Sequence, residues 1–198
     1  MKRRVFLAIN LPEEIKKRLE DYRDKFDFLF TRRSLGGGGL VRWTKKDSLH
    51  LTLVFIGYVT NEQMLEICRV TRQAAAESKA FFINFKKILL GPPNRLPRMI
   101  WLEGTASQEL TELKNKLEKA LLESETGFFR AENRLFKPHI TLARIKHEQW
   151  RQMGETPAIE ENFETRMPVD SIEVMESDLK RDGAEYAVLE SCSLSGEN

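Results

Sequence analysis

Two short strings in this chain could share one piece of chemistry. They are His50-Leu51-Thr52-Leu53 and His139-Ile140-Thr141-Leu142. Residues two apart in an extended strand point to the same face. Each string therefore presents one imidazole and one hydroxyl together, and turns Leu51 and Leu53, or Ile140 and Leu142, toward a core. The chain has 3 histidines, and two of them stand in this repeated context about half a chain apart. An unperturbed histidine titrates near pH ~6.5, so around one anion one ring can be neutral while the other is charged. The neutral ring can deprotonate water and the charged ring can protonate a leaving oxygen, each role typically giving ~10²–10⁴ in rate. The threonine hydroxyls can donate to phosphate oxygens and hold phosphorus in line. A phosphodiester, above all a strained cyclic one, suits this set of groups. Neither a metal, a cofactor nor a covalent intermediate is needed.

Each string alone says little, because a histidine in a strand is ordinarily a packing residue with a satisfied hydrogen bond. The doubling, with matched flanking hydrophobics, is what points to a site. A zinc centre is the rival reading of paired histidines. It needs a third and a fourth ligand, yet the remaining histidine, His147, lies outside the repeat, and no cysteine or carboxylate stands at a familiar ligand spacing. Acid–base chemistry therefore ranks above metal binding. The run Gly36-Gly37-Gly38-Gly39 suggests a phosphate cradle, but no Gly-Lys-Ser/Thr follows it and it does not link a strand to a helix. It reads as a mobile surface loop.

The motifs need strands to carry them. Arg4 to Asn10 reads as a strand, and Leu11-Pro12-Glu13-Glu14 opens a helix with proline and acids in its first turn. Ile15, Leu19, Tyr22, Phe26 and Phe30 continue that helix at helical spacing. Strands follow at 41–43 and 49–58, then a helix over 61–79 with Met64, Leu65, Ile67, Cys68 and Thr71 on one side. Strands at 81–90 and 99–102 precede a helix over 107–122, with Leu110, Leu113, Leu117, Ala120 and Leu121 as its buried stripe and Gly127 soon after its end. The second motif occupies a strand at 139–145. Residues 147–165 read as polar and loose, a short helix and a loop. Strands at 169–176 and 186–194, joined across Asp182-Gly183, close the chain.

Strand–helix–strand–helix–strand thus runs twice, and each half carries one His-x-Thr strand. The expected fold is α+β: two pseudo-symmetric lobes of antiparallel sheet with outer helices around a central cleft, forming one bilobal domain over 1–198. With 41% hydrophobic and 31% charged residues the chain fits a soluble globular protein. No apolar run approaches the ~20 residues that span a bilayer. The apolar stretch near the N-terminus is cut short by Glu13 and Glu14 and lacks a cleavage site, so a cytoplasmic home is expected. Cys68 and Cys192 fit no metal or redox spacing and read as free thiols. The net charge of +2 excludes wholesale polyanion binding, although basic residues cluster at 2–4, 32–33, 45–46 and 86–87. No exposed apolar face stands out, and a monomer is expected.

The motifs resemble those of the 2H phosphoesterase superfamily, and the whole chain resembles its RNA 2′,3′-cyclic phosphodiesterases, first described as 2′-5′ RNA ligases. The resemblance is carried by RVFLAINLPEEIKKRL, VRWTKKDSLHLTLVFIG, MIWLEG, FKPHITLARIK and the closing IEVMESDLKRDGAEYAVLESCSL. It implies a metal-independent enzyme that opens the 2′,3′-cyclic phosphate of an RNA end to a 2′-phosphate, with reversible 2′-5′ ligation as an associated activity. It implies His50 as proton donor to the leaving 3′ oxygen and His139 as the base for water. Thr52 and Thr141 match phosphate-binding hydroxyls, and Arg144 matches an arginine that contacts the nucleotide. Residue types alone leave open which ring is acid and which is base. Strict alternation also puts Arg144 on the face opposite His139 and Thr141, unless the strand bulges, twists or ends near Ala143. Among other residues near the motifs, Phe55 and Trp43 read as packing, Lys137 as a solubilising charge and Pro138 as a fixed lead-in to its strand; Arg42 is a further cleft candidate. Two rival readings remain: a module that binds or joins RNA ends without hydrolysing them, and a structural domain whose two motifs lie far apart.

Overall fold

The computed structural model describes residues 2–31, 39–93, 96–124, 127, 129–131, 135–151, 159–180 and 183–196. Strands β1 (Arg3–Asn10), β2 (Val41–Trp43), β3 (His50–Val59), β4 (Phe81–Gly91), β5 (Met99–Gly104), β6 (His139–Ile145), β7 (Glu160–Val169), β8 (Ser171–Lys180) and β9 (Gly183–Ser193) form one sheet. Its order is β7-β4-β5-β6-β3-β1-β8-β9, with β2 also bonded to β6. Helices α1 (Glu13–Thr31), α2 (Asn61–Ala76), α3 (Gln108–Glu123) and α4 (His147–Arg151) complete it.

The sheet divides at its middle. β3 and β6 are joined through a single pair, Leu51 with Ile140, and both side chains are fully buried. Beyond that pair β6 bonds β2 instead, through Trp43–Ala143, Arg42–Arg144 and Val41–Ile145. The two motif strands therefore touch at one point and part, which opens a cleft between a first lobe (β3-β1-β8-β9) and a second (β6-β5-β4-β7). The same unit builds both sides of the seam. β1 and α1 lead to β3, which returns antiparallel to β1; β5 and α3 lead to β6, which returns antiparallel to β5.

The lobes are not the two halves of the sequence. The last hairpin, β8 and β9, adds to the N-terminal pair because β8 bonds β1. Helix α1 leaves the first lobe and crosses to the edge of the second, where Arg18 donates to the Glu164 carbonyl at 3.2 Å and Lys25 pairs with Glu161 at 3.3 Å. The segment 147–165, expected to be loose, holds most of β7. Pro168 and the charges at Glu160, Glu161, Glu164 and Arg166 obscured it, yet both are features an edge strand tolerates, and β7 is an edge.

The helices rest on the face away from the cleft. Ile15 and Leu19 of α1, Ile67 of α2 and Leu113 and Leu117 of α3 share one core with Val5, Leu7, Ile9, Leu51 and Ile140. The buried side of α2 is Ile67, Cys68, Val70, Thr71, Ala74 and Ala75; Leu65, expected there, faces solvent. Thr60 and Gln63 start α2 with a reciprocal capping box. Gly36, Gly37 and Gly38, Phe30's side chain and Asp182 lie outside the described residues, so the expectations placed on them are not tested.

One glycine holds up the second motif. A Cβ on Gly91 would collide with the Trp101 ring, and Trp101 packs against His139 with ring centroids 4.2 Å apart. Gly91→Ala is expected to lower stability by about 1–3 kcal/mol, as overpacked cores do, which is a fall in melting temperature of about 2–12 °C for a chain of this size. A thermal melt checks it; an unchanged melting temperature would mean that Trp101 can move aside.

Candidate active site

Both motif histidines are held in the same way. His50 Nδ1 lies 2.8 Å from the Ser48 carbonyl oxygen, and His139 Nδ1 lies 2.8 Å from the Lys137 carbonyl oxygen. A carbonyl only accepts, so each Nδ1 carries the hydrogen and each Nε2 is left for the cleft. The backbone two residues upstream supplies both acceptors. A 3₁₀ turn, Lys46–Ser48, delivers the first. Buried Pro138 follows the second, and its own carbonyl accepts from Gly104 N at 2.8 Å, which ties the lead-in of β6 to β5. Lys137 is exposed, as expected for its side chain; its contribution to the site is a backbone oxygen.

Aromatic rings pack on each imidazole. Phe6 and Tyr186 lie 5.0 and 4.9 Å from His50, centroid to centroid, and Trp101 covers His139. Burial accordingly pushes both histidines below the ordinary 6.5. The Ser48 carbonyl opposes this at His50, while the charge of Arg144, and that of His139 whenever its ring is protonated, push it further down. The Lys137 carbonyl opposes burial at His139. Both rings favour their neutral forms in the free protein.

Through Leu51 and Ile140 the antiparallel register sets His50 across from Thr141 and His139 across from Thr52. All four line one cleft of about 150 Å³, so the motifs are not coincidental strings on distant surfaces. Thr141 Oγ1 points to the Met99 sulfur at 3.7 Å, a weak acceptor that a phosphate oxygen would readily replace.

Arg144 reaches this cleft, contrary to strict alternation. On β6, Ala143 pairs with Ile100 and Thr141 with the next residue, Trp101, so Leu142 has no partner of its own. This bulge adds one residue and flips the parity, which returns Arg144 to the face of His139 and Thr141. β3 bulges at the matching place: Val54 pairs with Leu7 and Thr52 with Ala8, which leaves out Leu53. Phe55 is thereby turned into the cleft with 48% of its surface exposed. Its reading as a packing residue is corrected on that ground. Each motif is thus six residues long, ending in Phe55 on one side and Arg144 on the other. On the Phe55 side Arg4 supplies the positive charge, its guanidinium 4.6 Å from the Phe55 ring centre and held by Ser177 Oγ at 2.8 Å.

Trp43 does pack: its indole N–H donates to Asp27 of α1 at 2.6 Å. The sequence reading passed over Arg4, Thr44, Tyr186 and Trp101. Two of these carried a signal, because Arg4 and Trp101 stand on the strands that precede each motif by one helix. Among the described residues no three His, Cys, Asp or Glu side chains converge as a metal site requires, and His147 opens α4, off both motif strands.

A two-lobed α+β sheet with a doubled His-x-Thr motif across its seam defines the 2H phosphoesterase class. Within that class, the chain belongs to the 2′-5′ RNA ligase superfamily, whose family model matches residues 11–181. A Thermotoga maritima protein named RNA 2′,3′-cyclic phosphodiesterase is 29% identical over 198 residues, covering 98% of this chain and 96% of the relative. The crystal structure of TT0787 from Thermus thermophilus superposes with a TM-score of 0.79 at 26% identity, covering 98% of this chain and 100% of that one. E. coli LigT in its apo form superposes with a TM-score of 0.73 at 25% identity, covering 98% of both chains.

Proposed function

We propose that this protein is a metal-independent RNA 2′,3′-cyclic phosphodiesterase that opens a cyclic phosphate at an RNA 3′ end to a 2′-phosphate. The observation that carries this reading is the matched pair of Nδ1-to-carbonyl bonds, which leaves two Nε2 atoms for one cleft. Membership of the superfamily and the activity for which the Thermotoga maritima relative is named support it.

In this mechanism His139 Nε2 takes a proton from water as the water oxygen bonds to phosphorus. The bond from phosphorus to O3′ breaks, and protonated His50 gives its proton to that oxygen. One water is consumed, and proton return to His50 resets the pair. Thr52 and Thr141 donate to the non-bridging oxygens, where charge builds in the transition state, and Arg144 offers a charged, forked contact to the same group. The lowered titration of both rings fits these roles. It keeps His139 neutral as a base, and it makes protonated His50 a stronger donor once the phosphate anion has favoured its charged form. A 5′-hydroxyl in the place of water would give a 2′-5′ linkage through the same groups.

We take the monomer as the working form. Both cysteines are buried free thiols, which fits a reducing cytoplasm. Among the described residues no helix is long and apolar enough to cross a membrane.

The direct test is an oligoribonucleotide ending in a 2′,3′-cyclic phosphate, incubated with the protein in EDTA. Conversion to the 2′-phosphate is expected. Bound but unchanged RNA would favour an end-binding module, a 3′-phosphate product would mean that the other phosphorus–oxygen bond breaks, and turnover lost in EDTA but restored by a divalent ion would overturn the metal-free mechanism.

A further inference from the structure

Two arginines stand edge to edge at the outer end of the cleft. β2 pairs with β6 so that Arg42 lies directly opposite Arg144. Residues paired in this way share a face with Cβ atoms about 4.5–5.5 Å apart, and like charges there repel. Thr44 is two residues beyond Arg42 in the same extended segment, with its N–H donating to the Leu142 carbonyl at 2.8 Å, and Thr44 lines the cleft. Arg42 is therefore on the cleft side as well, exposed and just beyond the lining residues.

Neither arginine forms an ion pair among the described residues, although many of the chain's other basic groups do. Arg3 pairs with Glu176, Arg69 with Glu66, Arg72 with Glu190 and Lys87 with Glu160. Acidic residues are nearly as numerous as basic ones, so the lack of an ion-pair partner for these two among the described residues is local. Two unneutralised guanidinium groups on one face, at the mouth of a cleft suited to phosphate, form a place where a second phosphate would relieve repulsion and gain forked hydrogen bonds.

We propose that Arg42 holds the phosphodiester on the 5′ side of the cyclic phosphate, with Arg144 lying between that group and the reacting phosphorus. The consequence is a preference for the ends of RNA chains over mononucleoside cyclic phosphates, which have no such group. This rests on the function proposed above and names the feature by which that site chooses its substrate. Arg42 is a specificity residue in this scheme. It touches none of the reacting atoms.

The test compares kcat/KM on a dinucleotide ending in a 2′,3′-cyclic phosphate with kcat/KM on the mononucleoside 2′,3′-cyclic phosphate of the same base. The wild-type protein is expected to favour the dinucleotide. Arg42→Gln is expected to lower that ratio by about 10- to 100-fold, the size of one charge-assisted contact, and Arg42→Lys is expected to keep part of it. The salt dependence of KM for the dinucleotide should weaken by about one phosphate contact in the Gln variant. A ratio that is the same in wild type and Arg42→Gln would overturn the assignment while leaving the proposed function standing. A wild-type protein that opens neither substrate would overturn the function itself and this subsite with it.

Discussion

Replacing His50 or His139 by alanine is expected to lower kcat/KM on a 2′,3′-cyclic RNA end by about 10³-fold or more, since each acid or base role supplies ~10²–10⁴. The fold should survive. Each ring is half-buried on the cleft face, bonded to one backbone carbonyl, and the shared core lies on the other side of the sheet. A melting curve close to wild type, beside a collapsed rate, is the expected pair of results. The double variant should be little worse than the worse single one, because groups that act as a unit are not additive. The division of labour can be read as well. A substrate whose leaving group is a weakly basic aryl oxide needs little protonation. On such an ester the His50 variant should lose much less than the His139 variant, each compared with wild type. Full activity of either variant on the cyclic RNA end would sink the acid–base assignment, and the opposite order on the aryl ester would exchange the two roles.

How far the site was legible depended on what periodicity can carry. His50 with Thr52, and His139 with Thr141, could be placed on common faces because a regular strand repeats every two residues. The face of Arg144 could not, because the bulge at Leu142 adds a residue without marking itself. Leucine is an ordinary strand residue, and only register with β5 shows that it lacks a partner. Phe55 reads as packing because an aromatic in a strand ordinarily packs, and the bulge at Leu53 is what turns it into the cleft. The two bulges are one feature repeated, and aligning the strings over six residues instead of four puts Phe55 and Arg144 at the same position. β7 was hidden differently, by charges and a proline that are compatible with an edge but argue against an interior strand. Lobe membership was not legible either. Nothing local to Ser171–Lys180 says that its partner is β1, at the far end of the chain. Long-range pairing fixes which strands share a lobe, whereas local pattern fixes which residues share a face.

Arg144 is where the geometry predicts the most distinctive consequence. Arg144→Gln should lower kcat/KM by about 10²-fold on every substrate, as loss of a preorganised donor to the transition-state anion does. It should also change how one histidine titrates and leave the other alone. The Arg144 charge helps to push His50 down, whereas His139 is lowered by burial. The sign follows: a neighbouring positive charge disfavours the imidazolium, so removing it raises the His50 titration toward 6.5, and His139 stays where it is. In the wild-type protein both rings titrate below 6.5, so kcat/KM should peak on the acid side of that value and decline toward pH 8. In the variant, one limb of the bell should move to higher pH. The moving limb belongs to the pair until it is assigned, and NMR of the imidazole C–H protons across the same pH range assigns it. Two histidines moving together would mean that Arg144 acts on the whole cleft and that the contact across the seam is not specific. No movement of either would mean that the guanidinium is too well solvated to reach His50, and the bulge at Leu142 would then position Arg144 for the substrate alone.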